Sequence, residues 1–369
     1  VLSVGPPPST LSRRELLRTG TLSVATALGA PALATQPPSV STTVQASPLK
    51  VPPIGLGTWA WGDSLFWKYD PKNDGQLREV FDYAVEQGIT FWDTAELYGL
   101  GRSEQLLGEF SAGNPNIQIA TKFAALPWRT KPSDVVEAAK RSTDRLGRPI
   151  DLYQIHFPNA WANEAYWDGL AMCVDSGLVR SAGVSNYGRE AVRACHATLA
   201  SRGVPLVSNQ VQLSLLYPYA LKNGLKETCD SLGVSTIAYS PLALGLLTGK
   251  YTQTNLPEGP RRALAEKALA DPAFSQLLLT MRTIGDAHGG ATPAEVAIAW
   301  CLAKGAAVIP GARTISQARS DLAAARLKLN AEEVQLLDLA SSAITPVLSP
   351  EVNPFPKEDI FTKLRMYDS

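Results

Sequence analysis

Short apolar runs alternate with amphipathic stretches along the chain from Val51 onward. Runs rich in β-branched residues are typical of buried strands, and apolar residues spaced three and four apart are typical of helices. The predicted strands cover residues 54–59, 90–94, 117–123, 151–156, 180–185, 207–211, 235–240 and 307–311. The predicted helices cover residues 76–87, 104–111, 133–146, 162–176, 189–201, 220–231, 293–303 and 316–325. Glycines that follow four of these helices are expected to end them in a left-handed conformation: Gly147, Gly177, Gly203 and Gly233.

Eight strand–helix units predict an α/β fold, a (β/α)8 TIM barrel, over residues 49–345. The alternative is a doubly wound dinucleotide-binding sheet, which needs the pattern G-x-G-x-x-G at the opening of a helix. Residues 55–62 (GLGTWAWG) have a different spacing, so the barrel is favoured. The longest insertion, residues 243–271, is interpreted as a lid over a ligand. A C-terminal extra helix or tail is expected beyond the barrel, with residues 346–369 as the tail.

Residues 1–48 differ in composition from the rest of the chain, being rich in Pro, Ser, Thr and Ala. Arg13 and Arg14 precede a weakly apolar stretch, residues 19–30, and then Pro31-Ala32-Leu33-Ala34. This order predicts a twin-arginine export leader that is cleaved after Ala34 and followed by a linker. The alternative is a disordered leader in which the arginine pair is accidental. The apolar stretch is too short to span a bilayer, so the mature protein is expected to have no transmembrane span. The leader predicts a chloroplast location, in or at the thylakoid, or a bacterial periplasm.

The composition of the chain is that of a globular protein, with 45% hydrophobic and 18% charged residues. Lys plus Arg and Asp plus Glu both total 34, so no net charge favours a nucleic acid or an anionic lipid as partner. The four cysteines lie far apart and form no C-x-x-C pair, which indicates buried thiols rather than disulfides or a zinc site. The three histidines are scattered, and no metal is expected.

Three ionisable residues fall at the ends of consecutive predicted strands. Asp93 ends the second strand, Lys122 the third and His156 the fourth, while Tyr98 lies in the loop after Asp93. The reactive groups of a TIM barrel cluster at the C-terminal ends of its strands, so these four side chains are expected to meet. Each residue alone has a structural explanation, and Lys122 alone would also suit a Schiff-base lyase. Their combination favours one catalytic site.

The same residues carry a resemblance to the aldo-keto reductase family, including its chloroplast members. The matching segments are residues 91–99 (FWDTAELYG), 120–123 (ATKF), 154–156 (QIH), 183–187 (GVSNY), 209–210 (NQ), 239–242 (YSPL) and 309–313 (IPGAR). They occur in family order over residues 50–345. The resemblance implies reduction of an aldehyde or ketone, with Tyr98 as general acid assisted by Lys122, Asp93 and His156.

The chemistry of these residues agrees with that implication. Hydride addition to a carbonyl builds negative charge on oxygen, so a group must donate a proton there. Tyrosine has a reference pKa of about 10, and an ammonium beside it is expected to lower that pKa. Asp93 would hold the Lys122 ammonium, and His156 would orient the carbonyl.

The resemblance also implies a cofactor, NADP(H). The matching positions are Gly57, Thr58, Trp59, Ser185, Asn186, Gln210, Tyr239, Ser240, Pro241, Leu242, Gly245, Leu247, Gly311, Arg313, Gln317 and Asp321. Ser185, Asn186 and Gln210 are expected at the nicotinamide carboxamide, and Tyr239 against the nicotinamide ring. Residues 240–247 are expected along the pyrophosphate.

The phosphate-binding end of this predicted site decides between the two nicotinamide cofactors. Arg313 indicates NADPH rather than NADH, because a guanidinium pairs well with the 2′-phosphate. Ser320 and Asp321 depart from the Glu-Asn pair that touches adenine in many relatives, and a carboxylate near the phosphate would be unfavourable.

A substrate pocket is predicted from four tryptophans near strand ends: Trp59, Trp61, Trp128 and Trp161. For each of them, packing at the rim of the barrel is the alternative. A small carbonyl compound is the expected partner, and the oligomeric state stays open. The alternative function is a nucleotide-sensing regulatory subunit with the same fold and little turnover.

Overall fold

The computed structural model describes residues 48–159 and 161–345. Eight parallel strands follow one another around a single sheet in chain order. They are β1 Leu56–Gly57, β2 Phe91–Asp93, β3 Gln118–Phe123, β4 Leu152–Ile155, β5 Ala182–Ser185, β6 Leu206–Gln212, β7 Ser235–Tyr239 and β8 Ala307–Val308. The Gly55 amide donates to the Val308 carbonyl at 2.9 Å, and the Gly57 amide donates to the Pro310 carbonyl at 2.9 Å. The last strand thus meets the first, and the predicted (β/α)8 barrel is confirmed.

Helices surround this barrel. They are α1 Asp74–Glu86, α2 Arg102–Ser111, α3 Pro132–Leu146, α4 Asn163–Asp175, α5 Arg189–Ser201, α6 Tyr219–Lys222, α7 Leu225–Ser231, α8 Arg261–Ala270, α9 Pro272–Ala287, α10 Pro293–Ala303, α11 Ile315–Ala324 and α12 Ala331–Ser342. In α3 the residues Val135, Ala138, Ala139 and Leu146 are buried. Their spacing places them on one side of the helix, which faces the sheet. Gly147, at the end of α3, has the predicted left-handed conformation, with φ of 63°.

The structure differs from the prediction at several element boundaries. The strand predicted over residues 54–59 is only Leu56–Gly57. Ile54 pairs with Val308 and Gly57 with Gly311 through isolated bridges. The strand predicted over 307–311 likewise ends at Val308. The helix predicted over 220–231 is divided into α6 and α7 at Gly224, whose φ of 78° is incompatible with a continuing helix.

The insertion after β7, residues 243–271, which the sequence analysis interprets as a lid, contains helices. It contains a 3-10 helix, Ala243–Thr248, and then α8. The sequence prediction also missed α9, which begins where the Asp271 side chain accepts from the Ala273 amide and Pro272 occupies the first turn. The predicted C-terminal extra helix is α12, whereas the leader, residues 1–47, and the tail, residues 346–369, lie outside the described residues. Within the described part, no helix has the length and apolar character that a bilayer crossing needs.

Helices α2 and α3 pack closely against each other at a glycine position. A β-carbon on Gly108 of α2 would lie 2.3 Å from the carbonyl oxygen of Leu146 at the end of α3. No real β-carbon tolerates that distance to backbone, so α2 and α3 approach as they do only because residue 108 has no side chain.

We expect Gly108→Ala to lower the free energy of unfolding by about 1–3 kcal/mol, because the added methyl group forces two helices apart. Chemical denaturation measures this change. Gly75→Ala on α1 is the control, since its β-carbon would meet nothing within 4 Å. That variant should be unchanged or stabilised by up to about 1 kcal/mol. Equal losses for both variants would contradict the packing argument.

Candidate active site

The structure brings the four predicted catalytic residues together at one end of the barrel. Asp93 is the last residue of β2, Lys122 lies in β3, and His156 follows β4 directly. Tyr98 begins a 3-10 helix, Tyr98–Gly101, in the loop after β2. Asp93, Lys122 and His156 are buried, and Tyr98 is partly exposed. The arrangement follows from parallel strands, whose carboxyl ends meet at the same face.

The Lys122 ammonium connects the other groups of the site. Its Nζ donates to Asp93 Oδ1 at 2.5 Å, to the Thr94 carbonyl at 2.8 Å and to the Tyr98 hydroxyl oxygen at 3.3 Å. Nζ also lies 4.9 Å from the centre of the Tyr98 ring. An ammonium has three N–H donors, and here each of them has an acceptor.

The Asp93 carboxylate is held by two amides in addition to the lysine. Its Oδ2 accepts from Gln210 Nε2 at 2.7 Å and from Gln154 Nε2 at 3.3 Å. Asp93, Gln154 and Gln210 lie on β2, β4 and β6, and alternate strands of a barrel contribute side chains to the same interior layer. This layer is therefore polar where branched apolar residues would be usual.

Gln154 was not among the predicted site residues. It lies two positions before His156, so both side chains are on the same side of the chain, and this period of two was the available signal. Gly183 on β5 leaves room for it, since a β-carbon there would lie 3.0 Å from Gln154 Cγ and 2.5 Å from Ser208 Oγ.

The protonation states of the site follow from its burial. Burial and the nearby Asp93 carboxylate hold the pKa of Tyr98 well above its usual range. This reverses the expectation that Lys122 would lower it. Because Asp93 compensates the ammonium, little net positive charge reaches the phenol, and burial then favours its neutral form.

The other two ionisable groups shift downward. Burial lowers the pKa of Lys122, an effect that Asp93 opposes. Burial, together with the charge of Lys122, holds the pKa of His156 well below its usual range. The site therefore holds a protonated phenol beside a neutral imidazole.

Buried hydroxyl groups fix the backbone at Asp93. The Thr58 hydroxyl donates to the Asp93 carbonyl at 2.9 Å and lies 2.7 Å from Ser103 Oγ. Thr94 Oγ1 donates to the same Ser103 oxygen at 2.9 Å. Thr58 was expected beside the cofactor. It is fully buried, and its visible role is to hold the end of β2.

The residues predicted at the nicotinamide form a continuous network at the ends of β5, β6 and β7. Ser185 Oγ donates to the Gln210 carbonyl at 2.8 Å. Asn186 Nδ2 donates to the His156 carbonyl at 3.0 Å, and the Tyr239 hydroxyl donates to Asn186 Oδ1 at 2.9 Å. The predicted carboxamide-binding residues are thus joined to His156 and, through Gln210, to Asp93.

The residues predicted along the pyrophosphate lie in a turn with an uncommon backbone. Ser240, Ala243, Leu244 and Gly245 have φ values of 51°, 47°, 57° and 93°. Left-handed conformations at non-glycine residues store strain, and such strain is commonly found at ligand-binding positions. Pro241, Leu242 and Leu247 belong to the same turn and 3-10 helix, and Pro241 and Leu247 are buried.

The predicted phosphate-binding residues follow β8. Arg313 is exposed, and its amide donates to Gln317 Oε1 at 2.8 Å, while Gly311 pairs with Gly57 across the barrel seam. Asp321 is only 3% exposed. Burial and the nearby Glu295 raise its pKa well above the usual range, which favours the neutral carboxyl group. The repulsion that a carboxylate would exert on a phosphate is correspondingly reduced.

The four tryptophans of the predicted substrate pocket separate into two groups. The Trp59 ring lies 6.2 Å from that of Tyr98 and stacks on Phe66 at 5.0 Å, while Trp128 and Trp161 are exposed around the same face. Trp61 is 1% exposed and packs on Trp92 in the core, with its Nε1 donating to the Ala312 carbonyl. Trp61 is therefore a packing residue, whereas Phe66, which the sequence analysis did not name, stacks on Trp59 beside Tyr98.

We expect Gln154→Leu to lower the free energy of unfolding by about 1–3 kcal/mol, because Asp93 Oδ2 loses one donor in a buried setting. Denaturant titration gives the value. Tyr153→Phe, at the adjacent buried position, is the control. Among the described residues its hydroxyl has no hydrogen-bond partner, so its removal should cost nothing. If both variants lose the same stability, the amide is not what holds Asp93.

Comparison with known proteins agrees with this geometry. Residues 53–341 match the model of the Aldo/keto reductase family. The chain is 42% identical over 314 residues to a chloroplastic pyridoxal reductase of Arabidopsis thaliana, covering 79% of this chain and 84% of that protein. A thermostable aldo-keto reductase in complex with the inhibitor epalrestat superposes with a TM-score of 0.66 at 29% identity, over 80% of this chain and 97% of the other. An aldo-keto reductase of Klebsiella pneumoniae in complex with NADPH superposes with a TM-score of 0.62 at 23% identity, over 78% and 90% of the two chains. The chain belongs to the Aldo/keto reductase family of oxidoreductases.

Proposed function

We propose that this protein is an NADPH-dependent reductase of aldehydes or ketones, with Tyr98 as the general acid. The observation that carries the proposal is the position of the Lys122 ammonium, 2.5 Å from Asp93 and 3.3 Å from the Tyr98 hydroxyl oxygen. A protonated phenol held by a buried cation is the group that a carbonyl needs when negative charge develops on its oxygen.

In the proposed mechanism each residue has a separate role. When bound, the nicotinamide supplies the hydride to the carbonyl carbon. Tyr98 gives its proton to the carbonyl oxygen, and the resulting phenolate is stabilised by the Lys122 ammonium. Asp93 keeps that ammonium in place. The neutral imidazole of His156, whose ring centre lies 5.9 Å from that of Tyr98, donates a hydrogen bond that orients the carbonyl.

A Schiff-base role for Lys122 has less support. A nucleophilic amine needs a free electron pair, whereas Nζ here is bonded to Asp93, Thr94 and Tyr98. All four residues of the candidate active site are present together. This favours an enzyme with turnover over a regulatory subunit that only senses the nucleotide.

Turnover is tested by mixing the purified protein with NADPH and a panel of aldehydes and ketones while absorbance at 340 nm is followed. Pyridoxal is the first substrate for this panel, since the Arabidopsis relative is a pyridoxal reductase. The aromatic residues Trp59 and Phe66 beside Tyr98 suit a planar ring. Tight NADPH binding without oxidation by any compound would contradict the reductase proposal.

We expect Tyr98→Phe to remove most of kcat while the affinity for NADPH stays nearly unchanged. The substitution deletes the proton donor but keeps the ring. Steady-state kinetics and direct binding separate the two effects. A parallel loss of cofactor affinity would show that Tyr98 has another role.

We expect Arg313→Ala to weaken NADPH binding much more than NADH binding, because only NADPH carries the 2′-phosphate. Fluorescence titration with both cofactors checks this. Equal losses would remove Arg313 from the phosphate site.

We further propose a chloroplast location, which the chloroplastic relative supports. The twin-arginine leader and its cleavage after Ala34 stay predictions about residues outside the described part of the chain. Fractionation, with sequencing of the mature N-terminus, tests both.

A further inference from the structure

A second carboxylate, that of Glu96, lies two residues before Tyr98, and the proposed mechanism does not use it. Its side chain is 7% exposed. Arg129 forms a salt bridge with it: Nη1 donates to Glu96 Oε1, and Nη2 donates to Oε2 at 3.3 Å. Oε1 also accepts from the Ala124 amide at 2.7 Å. Charges this far from water are tolerated only in a well-defined hydrogen-bonded geometry, so the pair fixes the two segments that it joins.

The segment that carries Tyr98 stays paired with β3 beyond the end of β2. The Glu96 amide donates to the Lys122 carbonyl at 3.4 Å. The bond from the Ala124 amide to the Glu96 carboxylate continues this pairing, with a side-chain oxygen in the place of a backbone carbonyl. Glu96 is therefore attached both to Lys122 itself and to the residue that follows β3. A displacement of Glu96 moves Tyr98 relative to the lysine.

Arg129 is fixed by further contacts of its own. Its Nη1 donates to the Ala124 carbonyl at 3.1 Å, and its guanidinium carbon lies 5.1 Å from the centre of the Phe123 ring. Its backbone carbonyl accepts from the hydroxyl of Tyr166, a buried residue of α4. The salt bridge therefore ties the loop after β2 to an anchored group, and not to a mobile surface side chain.

The chain on the other side of Tyr98 is constrained as well. Gly99 has a φ of 55°, and a β-carbon there would lie 2.3 Å from the Gly62 carbonyl oxygen. The backbone of Tyr98 is thus held by a close contact after it and by Glu96 before it. The Tyr98 hydroxyl oxygen lies 3.3 Å from Lys122 Nζ, which is longer than the usual range for such a bond. A small displacement is enough to remove this contact.

We propose that Glu96 is a positioning residue for Tyr98. Through the Ala124 amide and the Arg129 guanidinium it fixes the segment before the phenol, and with it the distance between the phenol and the Lys122 ammonium. This inference rests on the proposed function. Glu96 acts through Tyr98 and not on the reacting atoms.

The proposal separates catalysis from cofactor binding. A misplacement of about 1 Å can lower the rate of a catalysed step about 100-fold. Most of the residues that we propose for the cofactor lie at or after β5 to β8, whereas Glu96 lies between β2 and β3. Loss of Glu96 is therefore expected to lower kcat and to leave the affinity for NADPH nearly unchanged.

The test compares Glu96→Ala and Glu96→Gln with a control at the other end of the loop after β3. The control is Asp134→Ala, since the Asp134 carboxylate accepts from the amides of Thr130 and Lys131 at 2.7 and 2.9 Å. Steady-state kinetics use para-nitrobenzaldehyde and pyridoxal as probes. Dividing kcat by the number of NADPH-binding sites counts only folded molecules, and fluorescence titration gives the dissociation constant for NADPH.

We expect Glu96→Ala to lower kcat per site about tenfold or more, with the NADPH dissociation constant within about twofold of wild type. Glu96→Gln keeps one acceptor oxygen for the Ala124 amide but loses the charge opposite Arg129, so its kcat should lie between those of wild type and Glu96→Ala. Asp134→Ala should keep the wild-type kcat per site, although the loss of the cap lowers its stability.

Two results would overturn the positioning role and leave the reductase proposal intact. One is a wild-type kcat per site in either Glu96 variant, and Glu96→Gln decides the matter if the alanine variant does not fold. The other is an equal loss in Asp134→Ala, because general loosening of the loop would then explain the effect. A wild-type protein that binds NADPH but reduces neither probe nor any other carbonyl compound of the panel would instead overturn the proposed function, and this inference with it.

Discussion

The buried ion pair between Asp93 and Lys122 is the interaction on which the catalytic end of the barrel depends. Both side chains are at most 2% exposed. Removing two charges from water costs several kcal/mol per ion, and the attraction between them compensates only if the remaining donors and acceptors are satisfied. Here Lys122 has three acceptors, and the second carboxylate oxygen of Asp93 has two amide donors. The ion pair therefore requires the polar interior layer that Gln154 and Gln210 form.

The same pair determines the electrostatics at Tyr98. A single ammonium in a buried site would strongly favour the phenolate, but the Asp93 carboxylate cancels most of its field. Burial, together with this carboxylate, holds the pKa of Tyr98 well above its usual range, so the phenol keeps its proton. In the proposed mechanism Lys122 stabilises a charge that appears only during the reaction, which is the condition under which an interaction accelerates a chemical step.

The proposed catalytic residues and the proposed phosphate-binding site lie on different parts of the fold. The proposed catalytic groups lie on strand ends and on a short 3-10 helix, supported by buried hydroxyls such as Thr58 and Ser103. Arg313, which we propose for the 2′-phosphate, lies in the loop after β8. Loops tolerate sequence change better than barrel strands, so cofactor preference can vary while the proton donor stays in place.

The sequence by itself determined the barrel and the order of its candidate catalytic groups. Alternating strand and helix periods with Asp93, Lys122 and His156 at successive strand ends permit few other topologies, because parallel strands bring their carboxyl ends to one face. Only the tertiary structure decided what surrounds those groups. That Gln154 and Gln210 both reach Asp93 and that Trp61 packs in the core depend on contacts between distant segments. Local periodicity carries no information about such contacts. The direction of the Tyr98 pKa shift was wrongly predicted for the same reason, since it depends on burial and on the neighbouring Asp93 carboxylate.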